Sequence, residues 1–227
     1  MTEKSFVDQL EKIFANEGFL TKKELGVGYG VADLVLLKID PKKTALRYEN
    51  KQFKPLLNES YFKVFQYLPD IKEKKEPISI NKLIRKTELS DSFLKYKILK
   101  KLKKDKYIIE KGNNLYYKVN GWVPLAKEII AIEAKLKDWK RGFYQANRYK
   151  AFADKTYLAI PSNISHLVNR DMLRKHNVGL ITLDVDANKK RTLIVPKKKN
   201  PLNADKRNFA VEFFWTPNLK KKLLTNI

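Results

Sequence analysis

The chain has 227 residues, of which 43% are apolar, so it is long enough to bury one large core or two small ones. Its 48 Lys and Arg residues outnumber its 25 Asp and Glu residues, and the formal net charge of +23 favours a polyanionic partner such as nucleic acid. The absence of cysteine excludes a disulfide framework and a cysteine-ligated zinc site. A lysine-rich proteome, in which the charge only solvates the surface, is the alternative explanation of the charge.

The N-terminal stretch MTEKSFVDQLEKIF is charged and has no apolar segment of the kind found in signal peptides. No apolar run approaches the length that spans a bilayer. We therefore expect a cytoplasmic protein without a membrane partner, which fits the lack of cysteine.

The first 50 residues predict one helix and two strands. Apolar residues recur at helical spacing over residues 3–17, and Gly18 marks the end of that helix. The stretch ELGVGYG predicts a flexible loop, and VADLVLLKI, residues 31–39, predicts a buried strand. After a DPKK turn, we expect TALRYEN to form a partner strand.

Residues 51–122 predict short amphipathic helices followed by a hairpin. The helix NESYFKVFQYLP precedes SINKLIRKTEL, which Ser79 caps, and DSFLKYKILKKLKKD, which follows Ser90. The stretch KYIIEKGNNLYYKV predicts two strands around a Gly-Asn-Asn turn. Three helices followed by a hairpin are typical of a winged helix-turn-helix.

From residue 123 onward, strands and helices alternate and predict an α/β or α+β sheet flanked by helices. After the strand PLAKEIIAIEAKL and the helix DWKRGFYQANRYKAFA come the strand TYLAIP, the helix SNISHLVNRDMLRKH and the strand VGLITLDV. The stretch NFAVEFFW fits either a strand or a helix, and TPNLKKKLL predicts a helix with Pro at its first position.

Glu133 and Lys135 stand out because they interrupt a strand that otherwise predicts burial. With a period of two residues, both side chains point to one face of the strand, opposite to Ile130 and Ile132. A structural ion pair is one explanation, although desolvation offsets most of the stability that a buried pair contributes. A functional site is the other.

Asp33 provides a second carboxylate near the start of the strand 31–39. If the two strands are neighbours, Asp33 and Glu133 converge, and two close carboxylates repel each other unless a cation lies between them. Oxygen ligands suit Mg²⁺ or Mn²⁺, which activates water and shields phosphate charge. Another acid, such as Glu49, is the alternative partner of Glu133.

The stretches GVADLVLL and IIAIEAKL resemble the motifs of the PD-(D/E)XK nuclease superfamily, which has the restriction-endonuclease-like fold. Ala32 stands where the family usually has Pro before the Asp, and Glu133-Ala134-Lys135 matches the second motif. The resemblance implies that Asp33, Glu133 and the carbonyl of Ala134 hold Mg²⁺ or Mn²⁺. It also implies that Lys135 acts on the attacking water or on the transition state. It covers roughly residues 1–50 and 123–186.

The resemblance also implies roles for three further residues. Gln145 and Tyr149 resemble the QxxxY motif of the branch related to RecB-type and resolvase-type nucleases, and at a spacing of four they share a helix face. Family members often carry a Glu on the first helix. Glu3 matches that position best, and Glu11 and Glu17 compete with it.

Asp33 and Glu133 are 100 residues apart, which is farther than is usual in the family. The extra length matches the segment of helices and hairpin. We therefore interpret residues 51–122 as a winged-helix domain inserted between two parts of a nuclease core, residues 1–50 and 123–227. A loop tolerates such an insertion when both ends emerge close together.

The helix over residues 90–105 predicts a nucleic-acid surface, because KYKILKKLKKDK holds seven lysines and one acid. In a helix-turn-helix this helix enters the major groove, where lysine mostly contacts phosphate. A solvated helix in a protein-docking domain is the alternative. The residues predicted to contact DNA are Ser92, Lys95, Tyr96, Lys97, Lys100, Lys101 and Lys104 on the helix, Lys111 and Asn113 on the wing, and Lys140 and Arg141 on the QxxxY helix.

Together these patterns predict a Mg²⁺-dependent DNA endonuclease that hydrolyses phosphodiester bonds. One active site cuts one strand, so a double-strand break requires a homodimer or a protein partner. A non-catalytic DNA-binding regulator and an RNA-processing nuclease are the rival functions. His166 and His176 have no carboxylate at ligand spacing and are expected at the surface or at helix ends.

Overall fold

The computed structural model describes residues 1–119 and 122–215. The chain forms two compact units, of which the first comprises Met1–Ile39 and Ala126–Phe214, and the second comprises Asp40–Leu125 and Trp215. The predicted helix TPNLKKKLL begins at residue 216 and lies outside the described residues. No helix within the described ranges is both long and apolar enough to cross a bilayer.

The helices and strands of the described residues are numbered in chain order. The strands are β1 (Leu20–Gly26), β2 (Val31–Ile39), β3 (Ile78–Ser79), β4 (Ile108–Glu110), β5 (Leu115–Lys118), β6 (Ala126–Ala134), β7 (Lys155–Pro161), β8 (Gly179–Asp184) and β9 (Lys189–Ile194). The α-helices are α1 (Glu3–Asn16), α2 (Pro41–Glu49), α3 (Ser60–Phe65), α4 (Ile80–Thr87), α5 (Lys100–Lys104), α6 (Trp139–Arg148), α7 (Arg170–Lys175) and α8 (Ala204–Glu212). A π-helical stretch, Phe93–Leu99, leads directly into α5.

The first unit is built on a six-stranded mixed sheet with the strand order β1-β2-β6-β7-β8-β9. The pairs β6/β7 and β7/β8 are parallel, and the other pairs are antiparallel. The class predicted from the sequence, a mixed α/β sheet flanked by helices, is therefore confirmed.

Helices cover both faces of this sheet, because the strands direct apolar side chains toward each face in turn. On one face, Phe6 and Leu10 of α1 pack with Leu34 and Ile132. On the other face, α6 and α7 contribute to a second apolar cluster that includes Leu158 of β7. The central strands are thus buried on both sides, as their long apolar runs predict.

The chain leaves the sheet at the end of β2 and returns at the start of β6, and these two points are adjacent. In the antiparallel register, Ile39 of β2 lies opposite Ala126 of β6. A separate unit can therefore enter between the two residues without separating the strands. The division falls at residues 39/40 and 125/126, whereas the sequence analysis had placed it at residues 50/51 and 122/123.

The stretch TALRYEN was predicted as a strand, and this is wrong, because it belongs to helix α2. The Asp40 side chain accepts hydrogen bonds from the backbone N–H groups of Lys42 and Lys43, and Pro41 takes the first helical position. Asp followed by Pro is a turn signal, but it is equally the start of a capped helix.

The described residues of the second unit also form the helices α3, α4 and 93–104, a 3-10 turn at Ile71–Glu73 and a small antiparallel sheet. Helix α3, strand β3, helix α4, the helix 93–104 and the hairpin β4–β5 follow one another, and the sheet order is β3-β5-β4. The Ser79 side chain accepts from the Lys82 N–H and caps α4, as predicted. The hairpin strands pair across the predicted Gly-Asn-Asn turn.

A buried ion pair ties α8 to the sheet in the first unit. Asp154 is 5% exposed, accepts two hydrogen bonds of 2.8 Å from the Arg207 guanidinium, and accepts a third of 2.9 Å from the Ile129 N–H.

The stretch NFAVEFFW, which the sequence left undecided, contributes its first five residues to α8.

Replacing Asp154 with Ala is expected to destabilise the protein by about 3–5 kcal/mol, because it leaves the Arg207 charge without its partner in a mostly buried place. Urea unfolding followed by circular dichroism measures the difference. Asp171→Ala is the matched control, since its ion pair with Arg174 is solvent-exposed, and its effect is expected within about 0.5 kcal/mol. Equal losses in both variants would contradict this prediction.

Candidate active site

The acids Asp33 and Glu133 meet because β2 and β6 are paired. The antiparallel register sets Leu34 opposite Ile132, and Asp33 and Glu133 are the residues next to this pair at the same end of the two strands. The Ala134 N–H donates a hydrogen bond of 2.8 Å to Asp33 Oδ2, which fixes the carboxylate at the end of β6. Residues 100 positions apart in sequence thus form one site.

Lys135 places its ammonium group among these oxygens. Its Nζ lies 2.8 Å from Glu133 Oε1, 3.9 Å from Asp33 Oδ2, and donates to the Ala134 carbonyl oxygen at 3.1 Å. Glu133 Oε1 is buried and, despite its short distance to Lys135 Nζ, accepts no well-aligned hydrogen bond from a described residue. Lys135 and Glu133 share one face of the strand, as the sequence predicted.

Glu3 joins the cluster from the first turn of α1. Thr2 and Ser5 form a capping box, in which the Thr2 hydroxyl accepts from the Ser5 N–H, and this fixes the start of the helix. Glu3 Oε2 lies 3.6 Å from Lys135 Nζ, and its side chain is 52% exposed. Among the three acids considered for the first helix, the structure brings Glu3 to the site, while Glu11 pairs with Lys23 and Glu17 pairs with Lys190.

Tyr149 holds Glu133 from the side of α6. Its hydroxyl lies 2.6 Å from Glu133 Oε2 and 2.7 Å from the Val31 carbonyl oxygen, so its single proton serves two acceptors. Burial raises the pKa of Tyr149, and the neighbouring Glu133 raises it further. The hydroxyl therefore stays protonated and acts as a hydrogen-bond donor that orients the carboxylate.

The environment opposes negative charge on both carboxyls. Burial raises the pKa of Glu133, against the ion pair with Lys135 and the hydrogen bond from Tyr149, which lower it. Burial also raises the pKa of Asp33, against the hydrogen bond from the Ala134 N–H and the charge of Lys135. For Lys135 burial acts to lower the pKa, but the surrounding carboxylates outweigh it, and the pKa is raised. A nearby positive charge is therefore needed to stabilise the ionised forms of the two carboxyls.

The oxygens of the site converge on one point that a cation already occupies, namely the Lys135 ammonium. Within residues 1–119 and 122–215, no three Asp, Glu or His side chains form a metal-binding group by themselves. Mg²⁺ commonly binds one or two carboxylates and completes its shell with waters and phosphate oxygens. Asp33, Glu133 and the Ala134 carbonyl are a ligand set of that kind.

Solvent reaches the site at Asp33 and Glu3 but not at Glu133. The side chain of Asp33 is 31% exposed and that of Glu3 is 52% exposed, whereas Glu133 is 1% exposed. Asp33 and Glu3 are therefore the acids of the cluster that a ligand can reach from solvent, whereas Glu133 and Tyr149 are buried.

Gln145 is not brought into hydrogen-bonding contact with the acids. It lies one turn before Tyr149 on α6, and its Oε1 is buried with no hydrogen-bond partner among the described residues. Lys140 and Arg141 are exposed at the start of the same helix. Tyr144, which is 63% exposed, and Arg148 continue this outer face, and the sequence analysis did not single them out.

Gly142 is a further site residue that the sequence analysis missed. A Cβ at this position would lie 2.6 Å from Leu158 Cδ1 and 2.8 Å from Lys135 Cγ, so α6 approaches β6 and β7 as closely as only glycine allows. A glycine inside a helical pattern, three residues before Gln145, was the available signal.

In the second unit, most residues predicted to contact DNA are exposed. Lys101 is the exception among the lysines, because it is partly buried and forms a 2.7 Å ion pair with Asp105. The other predicted lysines of the helix have no acidic partner among the described residues. The exposed residues are Ser92, Lys95, Tyr96, Lys97, Lys100 and Lys104 on the helix and Lys111 and Asn113 at the hairpin turn.

No protein-family model, no curated protein and no solved structure matches the chain.

Gly142→Ala is expected to destabilise the protein by about 1–3 kcal/mol, because the added methyl group pushes against Leu158 and Lys135 in a close-packed layer. Urea unfolding measures the loss of stability. Lys140→Ala, on the exposed face of the same helix, is the control and is expected to change stability by less than about 0.5 kcal/mol. A Gly142→Ala variant as stable as the parent would show that α6 has room to move.

Proposed function

We propose that the protein is a Mg²⁺-dependent DNA endonuclease of the PD-(D/E)XK type, with the restriction-endonuclease-like fold in its first unit. One observation carries the proposal. Asp33, Glu133, the Ala134 carbonyl and the Lys135 ammonium come together at the end of β6, with distances to Lys135 Nζ between 2.8 and 3.9 Å. These are the four groups that the sequence resemblance assigns to metal binding and catalysis.

The alternative explanation, a structural ion pair, accounts for less of this arrangement. A Glu133–Lys135 pair would need no second carboxylate, yet Asp33 and Glu3 add two acids around the same ammonium. Acids that gather in this way repel one another and raise the free energy of the folded state. The clustering of these acids at the partly exposed end of β6 therefore favours a binding site over a structural ion pair.

In the proposed mechanism, Asp33, Glu133 and the Ala134 carbonyl would hold Mg²⁺, and the bound ion would activate a water and shield the phosphate charge. Lys135 orients the attacking water or donates to the phosphate oxygens as negative charge develops on them. Tyr149 keeps Glu133 in position through its hydroxyl. Glu3 lies at the solvent side and helps to hold Lys135, and Gln145 is assigned a role in organising the site by the resemblance alone.

The second unit is proposed to bind the DNA as a winged helix-turn-helix. Its element order, with β3 joining the hairpin β4–β5 and the helix 93–104 preceding that hairpin, supports this assignment. The helix exposes Lys97 and Lys100 without acidic partners among the described residues, so their charge is available to phosphate. Lysine contacts of this kind supply affinity more than sequence readout.

Glu133→Gln and Lys135→Met are each expected to reduce Mg²⁺-dependent nicking of supercoiled plasmid by about 100-fold or more, because the first removes a charged metal ligand and the second removes the positive charge next to the reacting phosphate. Gel electrophoresis of the plasmid measures nicking. Binding of duplex DNA without divalent ions, followed by fluorescence anisotropy, is expected to persist in both variants.

Glu76→Gln and Lys137→Met are the matched controls, since both residues are exposed, and they are expected to nick as the parent does. A parent protein that binds DNA but leaves it intact in both Mg²⁺ and Mn²⁺ would contradict the enzymatic proposal and favour a regulator. Preference for structured RNA over duplex DNA at fixed salt would favour the RNA-processing alternative.

The double variant Lys97→Ala/Lys100→Ala is expected to weaken duplex DNA binding for all sequences alike. In a plot of the logarithm of the binding constant against the logarithm of the salt concentration, the slope is expected to become less negative by about 0.9 for each phosphate that is no longer neutralised. Titrations at several salt concentrations measure the slope. Lys101→Ala is the control on the same helix, and its effect is expected to be smaller because Asp105 already neutralises that lysine. An unchanged slope in the double variant would assign DNA binding to another surface.

A further inference from the structure

A cavity of about 160 Å³ opens at the start of β7, within the first unit and away from the candidate active site. In the parallel register of β6 and β7, it lies beside Lys155 and Thr156, whereas Glu133 lies opposite Leu158. Two to three residues along a strand correspond to roughly 7–10 Å. We call this cavity the Lys150 pocket, and it is lined by Lys150, Ala153, Asp154, Lys155, Thr156, Asn177, Lys199, Asn200 and Leu202.

Two lysines bring positive charge to the Lys150 pocket without acidic partners among the described residues. Lys150 Nζ donates to Asn147 Oδ1 at 2.6 Å and to the His176 carbonyl, which leaves one of its three N–H groups for a ligand. Burial, together with the nearby charge of Lys199, lowers the pKa of Lys150. Two cations held close together in this way favour an anion between them.

The acid in the pocket lining, Asp154, is already paired with other groups. Asp154 accepts from both the Arg207 guanidinium and the Ile129 N–H, so its negative charge is satisfied within the fold. Lys155, the third lysine of the lining, forms a 2.9 Å ion pair with Glu128. The charge that remains for a ligand is therefore that of Lys150 and Lys199.

Thr156 contributes an unsatisfied hydroxyl to the same pocket. The residue is 1% exposed, and its Oγ1 has no hydrogen-bond partner among the described residues. A buried hydroxyl without a partner costs free energy, and native proteins rarely retain one unless a ligand or a water completes it. The cavity is larger than a single water requires.

We propose that the Lys150 pocket binds a phosphate group, either inorganic phosphate or the phosphate of a nucleoside monophosphate. Phosphate combines up to two negative charges with several acceptor oxygens, so it matches two lysines and one hydroxyl donor better than a carboxylate or chloride does. The proposal stands independently of the nuclease activity, because the pocket shares no residue with the acids of the candidate active site.

The test is isothermal titration of the full-length protein with inorganic phosphate at constant ionic strength. Saturable binding at one site is expected, and Thr156→Val and Lys150→Met are each expected to weaken it by about tenfold or more. Thr156→Val replaces the hydroxyl with a methyl group of the same shape, so the variant is expected to fold and to be at least as stable as the parent without phosphate.

Lys189→Met is the control, since it removes one positive charge from the exposed strand β9 and is expected to leave phosphate affinity unchanged. If Lys189→Met weakens binding as much as Lys150→Met, or if Thr156→Val has no effect, the attraction is a property of the net charge and the pocket proposal fails. The proposal also fails if the parent shows no saturable binding. Tighter binding of a nucleoside monophosphate than of phosphate identifies a nucleotide as the source of the group, and equal binding identifies free phosphate.

Discussion

Lys135 supplies the positive charge around which the acids of the first unit gather. Two unit charges 4 Å apart interact by roughly 4 kcal/mol at an effective dielectric constant of about 20, so each of the contacts to Glu133 and Asp33 is substantial before desolvation is subtracted. Without this ammonium, Glu133 would be a nearly fully buried acid next to a second carboxylate. The position of the lysine in turn depends on Gly142, which leaves space for its alkyl chain beneath α6.

The pairing of β2 with β6 makes this electrostatic arrangement possible. It brings Asp33 to Glu133 across 100 residues of sequence, and it places the two ends of the second unit side by side at Ile39 and Ala126. An insertion at this point leaves β2 and β6 paired. Tyr149 adds a cross-link from α6 to both strands through Val31 and Glu133, so the geometry of the site is fixed by the sheet and by one helix together.

Strand periodicity predicted that Glu133 and Lys135 share a face, and the resemblance singled out Glu3 on the first helix. The contact between Asp33 and Glu133 was a conditional expectation, because which strands pair depends on long-range packing that one sequence does not encode locally. The edge strands β1 and β9 were missed because they are only partly buried and lack clear alternation. TALRYEN was misassigned because Asp-Pro begins both turns and capped helices. The Lys150 pocket had no sequence signal, since its residues come from separate loops and strands.

The central claim is that Asp33 and Glu133 together hold a divalent cation. A crystal structure of the full-length protein soaked in Mn²⁺, with data collected at the manganese absorption edge, tests it most directly. We expect an anomalous peak bonded to oxygens of Asp33 and Glu133 and to the Ala134 carbonyl, with the Lys135 ammonium displaced from its present place among them. A Lys135 that keeps its contacts with the acids, with no manganese between Asp33 and Glu133, would contradict the account.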